Sequence, residues 1–164
     1  MNASKGQAWD LANFAAEIRY SDLPKAAVET AKKSILDTLG VILAASGIEP
    51  DVNRIIEVVR ENGGPPESSI LGFRHHAPAL MAAFAKGALA HCLDFDDHTP
   101  FGQHASTSII PAVFAVAERK GKICGRDMIA AIASGLEHLP GVRRRAPFLC
   151  GRPWFSKLRI SIAI

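Results

Sequence analysis

Ala79-Leu80-Met81-Ala82-Ala83-Phe84-Ala85-Lys86-Gly87-Ala88-Leu89-Ala90-His91-Cys92-Leu93-Asp94-Phe95-Asp96-Asp97-His98-Thr99 is the stretch on which the fold turns. Its first two-thirds is built from alanine and glycine with a few large apolar residues, and reads as a helix from Pro78 to Leu93. So little side-chain volume lets a second helix approach closely, so this helix is expected at the centre of an all-α bundle. The last third breaks that pattern. Together with Gln103-His104 it places three carboxylates and three imidazoles within fifteen residues. Carboxylates are rarely buried without partners. The cluster therefore either ends a helix in water or lines a pocket where protons or metal ions are handled.

Upstream, Trp9 to Arg19 has Leu11, Phe14, Ala15 and Ile18 on one helical face. Ser21-Asp22-Leu23-Pro24 offers a capping side chain followed by proline, a helix start. The helix it opens runs to about Ser46, with Val28, Ala31, Ile35, Leu39 and Ile42 as its apolar stripe and Gly47 as its stop. Asp51 to Glu61 is a third helix, closed by Asn62-Gly63-Gly64-Pro65-Pro66. Ser68 to Phe73 reads as extended, one arm of a small hairpin, with His75-His76 in a surface loop. Downstream, Ile109 to Lys120 and Asp127 to about Glu137 complete an all-α plan with short connections.

The formal net charge of +3 hides a division. Residues 1–137 hold 13 Lys and Arg against 16 Asp and Glu, whereas residues 138–164 hold 6 basic and no acidic residues. A nucleic-acid face would need basic side chains arrayed on a folded surface. An irregular tail does not provide one, so no nucleic-acid partner is expected. The longest apolar runs fall short of the ~20 residues that span a bilayer, so no membrane partner is expected either. Cys92, Cys124 and Cys150 form no CxxC pair, and their odd, sparse count fits reduced thiols in a cytoplasm. Cys92 reads as a small core residue of the Ala-rich helix.

Three chemistries fit the Asp/His cluster. In the plainest, Asp94 caps a turn, Asp96 and Asp97 are solvated, and the histidines are incidental. In the second, the side chains bind a hard metal or zinc, although no HExxH, DxDxDG or Cys/His spacing is present. In the third, a carboxylate among imidazoles keeps one of them charged, for binding an anionic substrate or donating a proton. A helical segment would put Asp94 and His98, at i,i+4, on one face.

The strings AHxLDFDD (Ala90 to Asp97), a histidine ten residues after the first aspartate (His104), and PAVFAVAERKGKICGRDMIAAIASGLE (Pro111 to Glu137) together resemble the MmgE/PrpD family. Ser34-Ile35-Leu36-Asp37-Thr38-Leu39-Gly40 is similar to the family's early helix. The resemblance covers roughly residues 8–137. It implies a helical domain carrying most of the catalytic residues, with an α/β lid domain that these residues do not reach. It also implies a homodimer, no metal or other cofactor, and dehydration or decarboxylation of small tricarboxylates such as 2-methylcitrate and cis-aconitate.

By that resemblance the first active-site aspartate is Asp94 and the pocket histidine is His104; His98 is a further catalytic candidate, with Thr99, Ser106 and His91 as candidate substrate contacts. Here His98 stands where the family has threonine, with Thr99 one residue later.

The acid-free tail of residues 138–164 (Pro140, Arg143-Arg144-Arg145, Pro147, Arg152-Pro153) lacks a helical period and a Gly-aromatic-His string. It is expected to be a frameshifted or truncated end, leaving the chain inactive on its own. Two alternatives come from other classes. One is a non-catalytic helical module for self-association or partner binding. The other is a metal-dependent hydrolase.

Overall fold

The computed structural model describes residues 7–98 and 104–143, with Gln7, Ala8, Asp10, Leu11 and residues 137–143 described by backbone alone. Six helices and one hairpin follow in the order α1 (Gln7–Glu17), α2 (Lys25–Ile48), α3 (Val52–Asn62), β1 (Ser68–Ile70), β2 (His75–Ala77), α4 (Ala79–His91), α5 (Ala105–Lys120) and α6 (Gly125–Arg143). The all-α expectation holds, with the hairpin as a small addition. Among the described residues no helix is long and apolar enough to cross a membrane.

Helix α2 is long enough to serve two cores. Ile42 and Ala45 in its second half pack with α3, the hairpin and α4, around Ile56, Val59, Ile70 and Leu89. Val28 and Ala31 in its first half pack with α5 and α6, around Ile110, Ile132 and Leu136. Helix α4 touches α2, α3, α5 and both strands, which makes it the central element. Its alanines allow this: Ala82, Ala85 and Ala90 have no exposed surface. A Cβ added at Gly87 would lie 3.4 Å from the Thr107 carbonyl of α5. Pro111 has no N–H to offer that carbonyl from one helical turn ahead. The smallest residue of α4 thus meets α5 where its hydrogen-bond ladder is interrupted.

Several local expectations need correction. Helix α1 sends little into the core. Phe14 and Ala15 stay largely exposed, and Ile18, just beyond the helix, is the member of the expected face that packs inward. The Leu11 side chain lies outside the described residues. Before α2, Asp22 accepts the Arg19 N–H (2.9 Å) within a 3-10 turn at Tyr20–Asp22, so its side chain caps that turn and not α2. Pro24 takes the N-cap position of α2. Gly47 lies inside α2, which ends one residue later without a left-handed glycine.

His75-His76 forms β2, not a loop. The hairpin register pairs Ser68 with Ala77, Ser69 with His76 and Ile70 with His75. Its turn is pinned at Gly72, whose φ of +82° favours glycine and whose missing Cβ makes room for the Ser46 side chain of α2. Helix α5 starts a turn earlier than its apolar period indicates, at Ala105. Helix α6 continues through Pro140 to Arg143, so the first residues of the basic tail are helical. Residues 144–164, with Cys150, lie outside the described residues.

Candidate active site

Where α4 ends, the chain does not continue as a helix. The Asp94 N–H donates to the His91 carbonyl (3.0 Å), and Asp94 takes φ +54°, a left-handed conformation that aspartate tolerates better than most residues. Asp94 and His98 therefore share no helical face. The turn redirects the strand of sequence that follows, so that Asp96 and Asp97 enter the protein, each only 2% exposed. The alternative in which these two residues are solvated is thereby removed.

Asp96 is the hub. One carboxylate oxygen lies 3.1 Å and the other 3.2 Å from His91 Nδ1, and the second also lies 2.7 Å from His104 Nδ1. An ionised carboxylate only accepts, so each imidazole presents Nδ1–H to it. This leaves Nε2 of each ring, without a hydrogen bond among the described residues, as the atom that can exchange a proton. The two rings sit with centroids 4.6 Å apart and inclined by 56°. His98 lies on the outer side, exposed, its ring centroid 6.4 Å from that of His104.

Asp97 faces the other way. One of its oxygens accepts from Ser34 Oγ of α2 (3.1 Å) and Ser106 Oγ of α5 (2.5 Å). Its other oxygen is buried without a hydrogen-bond partner among the described residues, as are Asp37 Oδ2 and Thr38 Oγ1 of α2. Burial holds the Asp37 carboxyl above its ordinary value of 3.8, and the charges of Asp97 and Asp96 push it further the same way. Asp37 and Asp94 face a common cavity of about 550 Å³, lined also by Leu36, Gly40, Val41, Ala44 and Phe95.

Of the residues expected at the site, His104, His91 and Asp94 are brought together. One donor atom from each, with one from Asp96, falls within a mutual 4.8 Å, a set that could hold a metal ion. Asp94 stands at the exposed rim, and it is Asp96 that touches both imidazoles. Ser106 has no exposed surface and gives its hydroxyl to Asp97. Thr99 lies outside the described residues. Cys92 is exposed at the end of α4, contrary to the core position expected of it.

Sequence reasoning passed over the roles of Asp96, Asp97, Ser34 and Asp37. One signal was available. Ser34 and Thr38 are spaced i,i+4 on α2, on a face that also carries Ala31, Val41 and Ala45, and all five are buried. Polar residues on a buried face require partners.

A second polar cluster lies further back along α4. Lys86, with 1% of its side chain exposed, bonds Ser68 Oγ and Glu118 Oε2, both at 3.1 Å. Glu118 in turn accepts from the hydroxyl groups of Ser68 and Ser69 and from the Ser69 N–H. Burial draws the Lys86 amine below its ordinary range, against the hydrogen bond and charge of Glu118.

The model of the MmgE/PrpD N-terminal domain matches residues 9–148. A cis-aconitate decarboxylase-like protein, oryM, from Aspergillus oryzae is 26% identical over 156 residues, which is 90% of this chain and 32% of the relative. The cis-aconitate decarboxylase of Aspergillus terreus is 26% identical over 86% of this chain and 30% of its own length. The mouse cis-aconitate decarboxylase is 28% identical over 73% of the chain and 25% of its own length. The chain thus spans between a quarter and a third of the curated relatives it matches. A family match over residues 9–148, which include the Asp96 hub, places this chain in the MmgE/PrpD family.

Proposed function

We propose that these residues supply acid–base and anion-binding groups for a lyase that removes water or carbon dioxide from small tricarboxylates. The observation that carries this reading is a buried carboxylate, Asp96, holding two imidazoles by Nδ1, with its chain neighbours Asp94 and Phe95 lining a cavity. Oriented imidazoles can pair with a substrate carboxylate or pass a proton. In dehydration, a base takes the proton from the carbon next to a carboxylate. An imidazolium then protonates the departing hydroxyl, and water leaves as the double bond forms. In decarboxylation, carbon dioxide departs and the electron pair left on carbon takes the imidazolium proton.

In this reading His104 is the principal proton carrier. Asp94 acts at the cavity rim, His98 acts from the exposed side of His104, and His91 and Thr99 contact substrate. Ser106 acts through Asp97, as a positioning residue. The chemistry draws on no metal or organic cofactor. The reading includes a homodimer in the cytoplasm.

The test is binding of cis-aconitate and of 2-methylcitrate to the 164-residue chain, followed by NMR of the imidazole ring protons. We expect one of the two to bind near millimolar strength or better, about −4 kcal/mol. Binding should weaken at least tenfold in Asp96→Asn. If neither acid moves those resonances, the reading falls.

A second reading, a helical module for self-association, is favoured by one observation. Leu36 and Leu43 of α2 and Leu80 and Phe84 of α4 are each at least half exposed. Large exposed apolar residues of this kind mark interaction surfaces. Sedimentation equilibrium with Leu43→Ser/Leu80→Ser distinguishes it, because loss of a dimer with intact tricarboxylate binding would assign that face to assembly alone.

A further inference from the structure

We infer that His91, Asp94, Asp96 and His104 form a binding site for one borderline divalent cation, Zn²⁺ in the first instance, independent of any lyase activity. Two imidazoles and two carboxylates are the donor types that such ions take. Their four donor atoms already lie within 4.8 Å of one another. Tetrahedral zinc with bonds of about 2.0–2.2 Å places its ligands about 3.4 Å apart, so the widest pair must close by about 1.4 Å. The adjustment falls on the two most exposed members: the His91 side chain is 53% exposed and Asp94 is at the rim. The rigid member, Asp96, is fully buried and fixed by its contacts.

Charge favours the ion as strongly as geometry does. Asp94 and Asp96 have two more acids nearby, Asp37 and Asp97, although the Asp97 carboxylate is turned to Ser34 and Ser106. The ion pairs of Asp96 are both to histidine, whose charge depends on a proton. Lysine and arginine pair elsewhere among the described residues, with Glu29, Asp51, Glu118 and Glu67. A divalent ion would supply the positive charge that otherwise has to come from protonated imidazole. An ion held this way would occupy the imidazole nitrogens and exclude a tricarboxylate that needs them.

The experiment is calorimetric titration of Zn²⁺ into the metal-free 164-residue chain, with X-ray absorption on the loaded protein. We expect one ion per chain, a shell of nitrogen and oxygen, and at least tenfold weaker binding in Asp94→Asn. Asn tolerates the left-handed conformation as well as Asp does, and the position is exposed, so this variant keeps the fold. His91→Ala should weaken binding further, while His76→Ala and Cys92→Ser leave it unchanged. Overturning results are the absence of one-to-one binding, sulfur in the shell, or an affinity that Asp94→Asn does not move. Tricarboxylate binding is measured without metal, so failure of either idea leaves the other standing.

Discussion

Helix α4 carries two clusters of buried charge, and they are built on opposite rules. At Lys86 a buried amine meets a partly exposed Glu118, and two serine hydroxyls and a backbone N–H satisfy that carboxylate. Each charged group there has a partner of opposite sign. Five residues later, at His91, the arrangement inverts. The buried member, Asp96, is a carboxylate and its counter-charges are imidazoles, which gain and lose protons. The neighbouring acids Asp97 and Asp37 keep oxygens without hydrogen-bond partners among the described residues. The first cluster ties α4, α5 and β1 together. The second retains capacity to bind something. Buried polar groups left unsatisfied are costly, so their concentration in one place points to a site.

The contrast can be broken most severely at Glu118. Glu118→Ala strands the Lys86 amine inside the protein and should lower unfolding free energy by about 2–3 kcal/mol. That is less than the 3–5 kcal/mol of a fully buried pair, because Glu118 is partly in water. Chemical denaturation measures it, and Lys86→Met in the same background should recover most of the loss.

Asp96→Asn probes the other cluster. It keeps one acceptor for the imidazoles but removes the charge, and should cost about 1–2 kcal/mol in the same assay. A loss as large as that of Glu118→Ala would make Asp96 a structural tie like Lys86.

The smallest effect is at Asp37. Its carboxyl is held above the ordinary 3.8, so the folded state binds this proton more tightly than the unfolded one does. Its contribution is therefore most favourable in acid and is lost as pH rises through the folded value. Asp37→Asn should stabilise the protein at pH 7 by less than about 1 kcal/mol, and the gain should vanish below pH 3.8. Thermal melts at the two pH values check this.

Much of the fold could be read from periodicity. The apolar spacing of α2 and α3 and the small residues of α4 identified those helices and the central one. What periodicity could not supply was the local break after α4. A single residue, Asp94, leaves helical geometry, and this exchanges Asp94 for Asp96 as the partner of both imidazoles. Spacing counted along a helix paired Asp94 with His98, and that pairing fails because the segment is not a helix. Ser34 and Asp37 were hidden for a different reason. Their partners Asp97 and Asp96 lie some sixty residues away, and only the packing of α2 across the end of α4 makes them neighbours. The hairpin was half legible, since Ser68 to Phe73 reads as extended while His75-His76 looks like a polar loop until paired.

The spacing of the site along the chain also bears on how the protein folds. Asp96 meets His91 across five residues and His104 across eight, whereas Ser34 reaches Asp97 across sixty-three. Closing short loops loses little chain entropy, and elements linked by them form early. The imidazole–carboxylate hub is thus expected to assemble with the α4–α5 pair, ahead of the contact that brings α2 over it. Amides at the end of α4 should then gain exchange protection early in refolding, before those around Ser34.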